Sequence, residues 1–194
     1  MKIKNIVYAL IGNIVLGAGV AFESLPLLGS DPSISFSQAA SSVLNISIGQ
    51  MITITNICLL TIALIIAKKN IGVATLIVVL LNQYPIDFFT SLVNRSSYLA
   101  INIIYIVIGC LLVAIGCNII IISNLGMGIY DAFIFGIADK VGKDYVLVRY
   151  IVDGIFLSLT IILKGYIGIG TIIPYILIGN LIKLTKPYIV KLFK

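Results

Sequence analysis

Residues 5–29 read NIVYALIGNIVLGAGVAFESLPLLG, and residues 102–126 read NIIYIVIGCLLVAIGCNIIIISNLG. Laid over one another at an offset of 97, half the length of this 194-residue chain, they match at Asn5/Asn102, Ile11/Ile108, Gly12/Gly109, Gly19/Gly116 and Leu28-Gly29/Leu125-Gly126. Further on the offset becomes 96. Ile65-Ile66 then meets Ile161-Ile162, Lys68 meets Lys164, Ile71-Gly72 meets Ile167-Gly168, and Thr75 meets Thr171. Isoleucine coincidences weigh little in a chain this rich in Ile; glycine, lysine and threonine recurring in constant order weigh more. The pattern predicts two tandem repeats, 1–97 and 98–194, integrated into one domain. In membrane chains such halves pack about a shared axis with the functional site between them.

Composition settles the solvent. Sixty per cent of residues are apolar, 10% are charged, and the mean hydropathy is +1.19. A soluble domain carries about 25% charged residues, so this composition predicts an all-α, polytopic membrane protein surrounded by the lipid bilayer. The net charge of +6 does not point to nucleic acid. The lysines gather at the ends of apolar segments, as topology signals do, and no basic stripe interleaved with aromatics exists. Histidine is absent, and Cys58, Cys110 and Cys117 all lie within apolar runs. An odd number of cysteines in hydrocarbon makes a poor disulfide framework, and neither a metal nor a cofactor is expected. No phosphate loop or nucleophile–base pair is present, so an enzyme is not expected.

Six stretches are long enough to cross as helices, which takes ~20 apolar residues: Ile6 to Leu28, Ile48 to Ala67, Ile71 to Val93, Tyr98 to Ser123, Tyr145 to Leu163 and Tyr166 to Leu184. The first resembles a signal peptide in its flanks. Cleavage would remove the counterpart of Tyr105–Ile122, so it is read as an uncleaved helix. Between the first and second crossings of each half lie shorter runs, Ser35 to Leu44 and Ala132 to Val141. These predict short helices that dip into the membrane or lie at its surface, with Gly29 and Gly126 taking the turns that lead in. With an inner N-terminus, Lys2, Lys4, Lys68, Lys69, Lys140, Lys143, Lys183, Lys186, Lys191 and Lys194 fall inside, while Arg95 and Lys164 fall outside. This obeys the positive-inside rule and places both termini in the cytoplasm. Three crossings per half is an odd number, so the halves would be inverted relative to one another.

Polar residues inside such spans default to functional hypotheses. Arg149 and Asp153 stand four apart, on one helix face; Arg149 is near enough to the inner end to snorkel out. Asn56 is the 97-offset counterpart of Asp153. Asp131 stands where the second short helix should begin and suits a helix cap. Gln83 and Asp87 flank Pro85, which breaks a helical hydrogen bond, as Pro174 does in the last helix. These six side chains (Asp153, Arg149, Asn56, Asp131, Asp87, Gln83) are the candidate ligands for a small-molecule or ion substrate. Glu23, Asp31 and Asp87 are expected at an outer acidic rim. Gly12 and Gly19, like Gly109 and Gly116, lie seven apart on one face and suit close helix packing. Thr75 and Thr171, near helix starts, suit a cap or a bond to a neighbour.

Leu125-Gly126-Met127-Gly128-Ile129-Tyr130-Asp131, then Arg149 with Asp153, then Gly168-Ile169-Gly170-Thr171 form a pattern that half one repeats in part. There Leu28-Gly29-Ser30-Asp31-Pro32 and Gly72-Val73-Ala74-Thr75 remain. It resembles that of the YczE/YyaS/YitT-like bacterial membrane proteins over most of the chain. Ile129 stands where that family has Pro, and Ser33 and Ile34 stand where its aromatic and Asp would be. The resemblance implies a bacterial inner-membrane protein, a permease without an assigned substrate. The expected function is a small permease or exporter. The alternative is a non-transporting scaffold or accessory subunit, with a membrane-protein partner or a second copy beside it.

Overall fold

The computed structural model describes residues 3–24, 28–46, 48–92 and 96–193, and for Ile48 and Gly49 the backbone alone. Lys2, Arg95 and Lys194 of the charge pattern, and the span end at Val93, lie outside the described residues. Within them the chain is all helix, with no strand. The helices are α1 (Ile3–Ser24), α2 (Pro32–Leu44), α3 (Ile48–Ile66), α4 (Val73–Leu81), α5 (Gln83–Leu92), α6 (Leu99–Ile122), α7 (Ile129–Val141), α8 (Tyr145–Ile162) and α9 (Ile169–Phe193), with a 3₁₀ turn at Lys68–Asn70. Four helices, α1, α6, α8 and α9, are long and apolar enough to cross a membrane, or five spans if α4 and α5 form one. The third predicted crossing is thus divided: α4 and α5 meet at 43° around Asn82. Pro85 has no N–H to give the carbonyl of Leu81, which loosens the ladder where the bend occurs. The last predicted helix differs from expectation. It is not broken at Pro174 but runs on through Pro174 and Pro187 to Phe193.

Helix ends follow from local chemistry. Asp31 accepts from Ser33 N at 3.0 Å and starts α2 with Pro32 in the first turn, a position whose missing N–H costs nothing. Asp144 accepts from Val146 N at 2.9 Å and starts α8. On the exposed surface Asp144 also pairs with Lys183 at 2.9 Å, and that hydrogen bond holds its carboxyl below the usual carboxylate range. Lys69 pairs with Asp139 at 2.8 Å, so the lysines after α3 share an end of the molecule with the end of α7.

The most extensive helix interface joins the two halves: α1 lies on α6. Gly12 faces Gly116 and Ile120, and Gly19 faces Gly109 and Val113. Numbers rise along one helix as they fall along the other, so the pair runs antiparallel. A Cβ added at Gly12 would stand 3.0 Å from the Gly116 carbonyl oxygen, and one at Gly109 would stand 2.8 Å from that of Gly19. Backbones this close admit no side chain between them.

α2 and α7, 13 residues each, reach only ~20 Å, short of a ~30 Å hydrocarbon core. Both pack inward. α2 rests on α8 and α3, and α7 rests on α3 and α8, so each short helix touches the opposite half as well as its own. The turns that lead into them are hooked the same way. Gly29 and Gly126 have φ of 106° and 107°. Beside Gly29, the Leu28 carbonyl accepts from Gly170 N at 2.8 Å; beside Gly126, the Leu125 carbonyl accepts from Ala74 N at 2.8 Å. Thr75 Oγ1 accepts from Gly72 N at 3.1 Å and donates to the Met127 carbonyl at 2.7 Å, so it caps α4 and bonds across to the other half. Thr171 Oγ1 lies 3.3 Å from Ser35 Oγ, again across the halves.

Candidate functional site

The hooked loops deliver the first turns of α2 and α7 to the middle of α8, where the molecule keeps its buried charge. Arg149 is 4% exposed and stands among three carboxylates. Its Nη2 lies 3.6 Å from Asp31 Oδ2, its Nη1 3.4 Å from Asp131 Oδ1, and its Nε 3.4 Å from Asp153 Oδ2. The last contact is an ion pair by distance but is not aligned as a hydrogen bond. Two phenols complete the set. Tyr145 Oη donates to Asp131 Oδ1 at 2.7 Å and accepts from Arg149 Nη1 at 2.8 Å. Tyr130 Oη donates to Asp153 Oδ1, and the guanidinium lies over the Tyr130 ring, 5.3 Å from its centroid. The Tyr130–Phe156 and Phe36–Phe156 ring contacts line the site with apolar surface.

Two expectations are corrected here. Arg149 does not snorkel: three carboxylates and a phenol hold its head group inside. Asp131 does not cap α7, whose N-cap is Gly128. Its carboxylate points instead to Tyr145 and Arg149, because a buried anion gains more from a guanidinium and a phenol than from a helix terminus alone. The expected acidic rim is corrected as well. Asp31 is part of this cluster, and Glu23 is 2% exposed against α6.

Of the six side chains singled out in the sequence, the structure brings together Asp131, Arg149 and Asp153. Asn56 is half-buried on α3, and none of the cluster's ion pairs or hydrogen bonds involves it. Gln83 and Asp87 are exposed on α5, which packs on α1. Asp31, Tyr130 and Tyr145 are additions. Tyr145 stands four residues before Arg149, on the same helix face, so it was within reach of the spacing argument. Asp31 carried no such sign, because its contact crosses between the halves.

The carboxylates outnumber the guanidinium, and all three are buried: Asp153 is 1%, Asp131 4% and Asp31 9% exposed. Buried ions need full compensation, since each costs several kcal/mol to desolvate. The arrangement is therefore a closed cation-holding cage with its own cation in place. A separate open pocket of about 380 Å³ lies between Leu28, Ser96, Ser97, Leu99 and Asn102, away from this cage.

A family model described as a family of unknown function, DUF6198, matches residues 3–187. The chain belongs to the DUF6198 family. No curated protein and no solved structure matches it. The matched span of this DUF6198 chain takes in every residue of the cage and both Gly–Thr hooks.

Proposed function

We propose that this DUF6198 protein is a small multi-pass carrier of the bacterial inner membrane, with cationic solutes as its substrate class and the Arg149 cage as its site. One observation carries the reading: three buried carboxylates, from the N-cap of α2 and from α7 and α8, and so from both halves, converge on one guanidinium in a membrane-type chain. A site of this charge balance attracts a cation and repels an anion, and intramembrane ionisable groups cluster on ion and substrate paths. The antiparallel seam of α1 on α6 and the reciprocal hooks at Gly29 and Gly126 support six crossings in two inverted halves, with both termini in the cytoplasm. The same motifs support kinship with the YczE/YyaS/YitT-like proteins. The closed cage corresponds to an occluded state, with rocking of the halves opening it to either side.

Thermal-shift screening of the purified chain against organic and inorganic cations, with matched anions as controls, tests the substrate class. Stabilisation by cations alone is expected. In proteoliposomes Asp153→Asn, which keeps the shape and removes the charge, should abolish flux of the stabilising cation while the variant still elutes as a folded species. Normal flux through Asp153→Asn would remove the cage from the transport path. For topology, a cysteine is introduced at Ser97 or at Lys143 in a Cys58→Ser background, in which the remaining Cys110 and Cys117 are buried. The first should react with an impermeant thiol reagent from outside, the second only after permeabilisation; labelling of both from one side rules out the inverted arrangement.

The closure of the cage also favours a second reading, a non-transporting scaffold in which Arg149 serves cohesion alone. Stable co-purification with another membrane protein, with no cation response in the thermal screen, would support it.

A further inference from the structure

Glu23 is the only glutamate in the chain, and neither the cage nor the hooks use it. It occupies the last turn of α1, where sequence position suggests a water-facing end, yet it is 2% exposed. The antiparallel seam explains this. α1 ends partway along α6, so the Glu23 side chain lies against Gly109, its Cγ 2.7 Å from where a Cβ at that residue would sit. Phe22 meets Tyr105 edge-on beside it. Gly109 is ten residues from Leu99, hence ~15 Å along α6, about half of a ~30 Å hydrocarbon core. The carboxyl thus lies well in from the start of α6 and not beside it.

Its surroundings offer little to an anion. Among the described residues, α6 presents the Cys110 thiol to it, a weak donor. No Lys or Arg among the described residues forms an ion pair with Glu23, and its Oε1 is buried without any hydrogen-bond partner. α4 and α5, which also pack on α1, bring one ionisable carboxylate between them, Asp87, and it is exposed. Of the cage residues, Asp31 acts on Glu23 through space more strongly than Arg149, which acts with the opposite sign. An isolated carboxylate in such a place costs far more than any weak donor returns, and the group is held as the un-ionised acid instead.

We propose that Glu23 is a proton-binding site, separate from the Arg149 cage, and that the proton is a ligand of this chain. It deepens the carrier reading by naming the ion that would be exchanged for the solute, and rests on that reading only for this last step. Cation entry to the cage and proton departure from Glu23 would leave the net buried charge unchanged.

The test uses the wild-type full chain. Cell-free synthesis with glutamate carrying ¹³C at its δ-carbon places one label in the molecule, at Glu23, and the chain is reconstituted in liposomes at neutral pH. Isotope-edited infrared and solid-state NMR should show a single un-ionised carboxyl group, with no carboxylate signal. Transfer to deuterated buffer should shift the acid carbonyl band as the proton exchanges with water. A carboxylate signal at neutral pH overturns the proposal. So does an acid band that never shifts in deuterated buffer, because a proton that cannot leave is structural and not a ligand. Absence of cation flux with the exchanging acid signal intact counts against the carrier reading and leaves the proton site standing.

Discussion

Arg149→Ala should be the most damaging single charge substitution in the molecule, lowering stability by about 3–5 kcal/mol. The size follows from what is left behind. Asp31, Asp131 and Asp153 would remain buried around an empty centre, each having lost its only described cationic partner, and Tyr145 would lose the donor that fixes its hydroxyl. Thermal unfolding in detergent, followed by the loss of the monodisperse peak, reads this directly. Arg149→Lys should recover only part of the loss. The guanidinium serves Asp153 through Nε, Asp131 through Nη1 and Asp31 through Nη2, a division of labour that one ammonium point charge cannot copy. Combining Arg149→Met with Asn at positions 31, 131 and 153 should restore most of the stability, since the penalty lies in unpaired charge and the effects of groups in one network are not additive. An Arg149→Ala protein that melts like wild type would show that the cage is hydrated in the membrane and that its charges need no internal partner.

Gly126→Ala should cost about 3 kcal/mol, from two effects that neighbouring glycines separate. The first is conformational: φ of 107° is strained for any residue with a Cβ, at about 1–3 kcal/mol. The second is steric, because the new methyl would stand 2.5 Å from Gly72 N and 2.8 Å from Thr75 Oγ1, and overpacking of this kind costs typically ~1–3 kcal/mol. Gly142 has φ of 66° but open space around it, so Gly142→Ala isolates the backbone effect and should cost about 1 kcal/mol. Gly128 has φ of −56°, and its nearest neighbour to a Cβ is Asp131 Oδ2 at 3.7 Å; Gly128→Ala should be near neutral. Melting temperatures falling in the order Gly128→Ala, Gly142→Ala, Gly126→Ala would confirm that the hook at Gly126 holds the halves together. Equal losses at Gly142 and Gly126 would reduce that hook to a turn.

Much of this organisation was legible in the chain because repetition is visible at any distance. Gly12, Gly19, Gly109 and Gly116 recur at one offset, and they form the seam of α1 on α6. Gly29 and Gly126 recur with the leucines before them, and both turn with positive φ. Arg149 and Asp153 were legible through helical spacing. The contacts of Asp31 with Arg149 and of Glu23 with α6 were not, because they depend on where one half lies upon the other. Reading Glu23 as part of a rim assumed that the end of a helix is the end of the buried layer. An antiparallel neighbour that extends further takes that end inside. Asn56 shows the opposite error: the 97-offset counterpart of Asp153 has no arginine four residues before it, so the repeat carries the position without the charge partner.

The crossing of Asp31 to Arg149 has a consequence for biosynthesis. The ribosome delivers α2 well before α8, so the nascent first half enters the translocation machinery with an acidic side chain whose counter-charge does not yet exist. Its membrane insertion must stay provisional, held at the interface or by a chaperone, until the fifth predicted crossing emerges. Chains truncated before Arg149 should therefore be turned over rapidly by membrane proteases, and co-expression of the missing half in trans should rescue them.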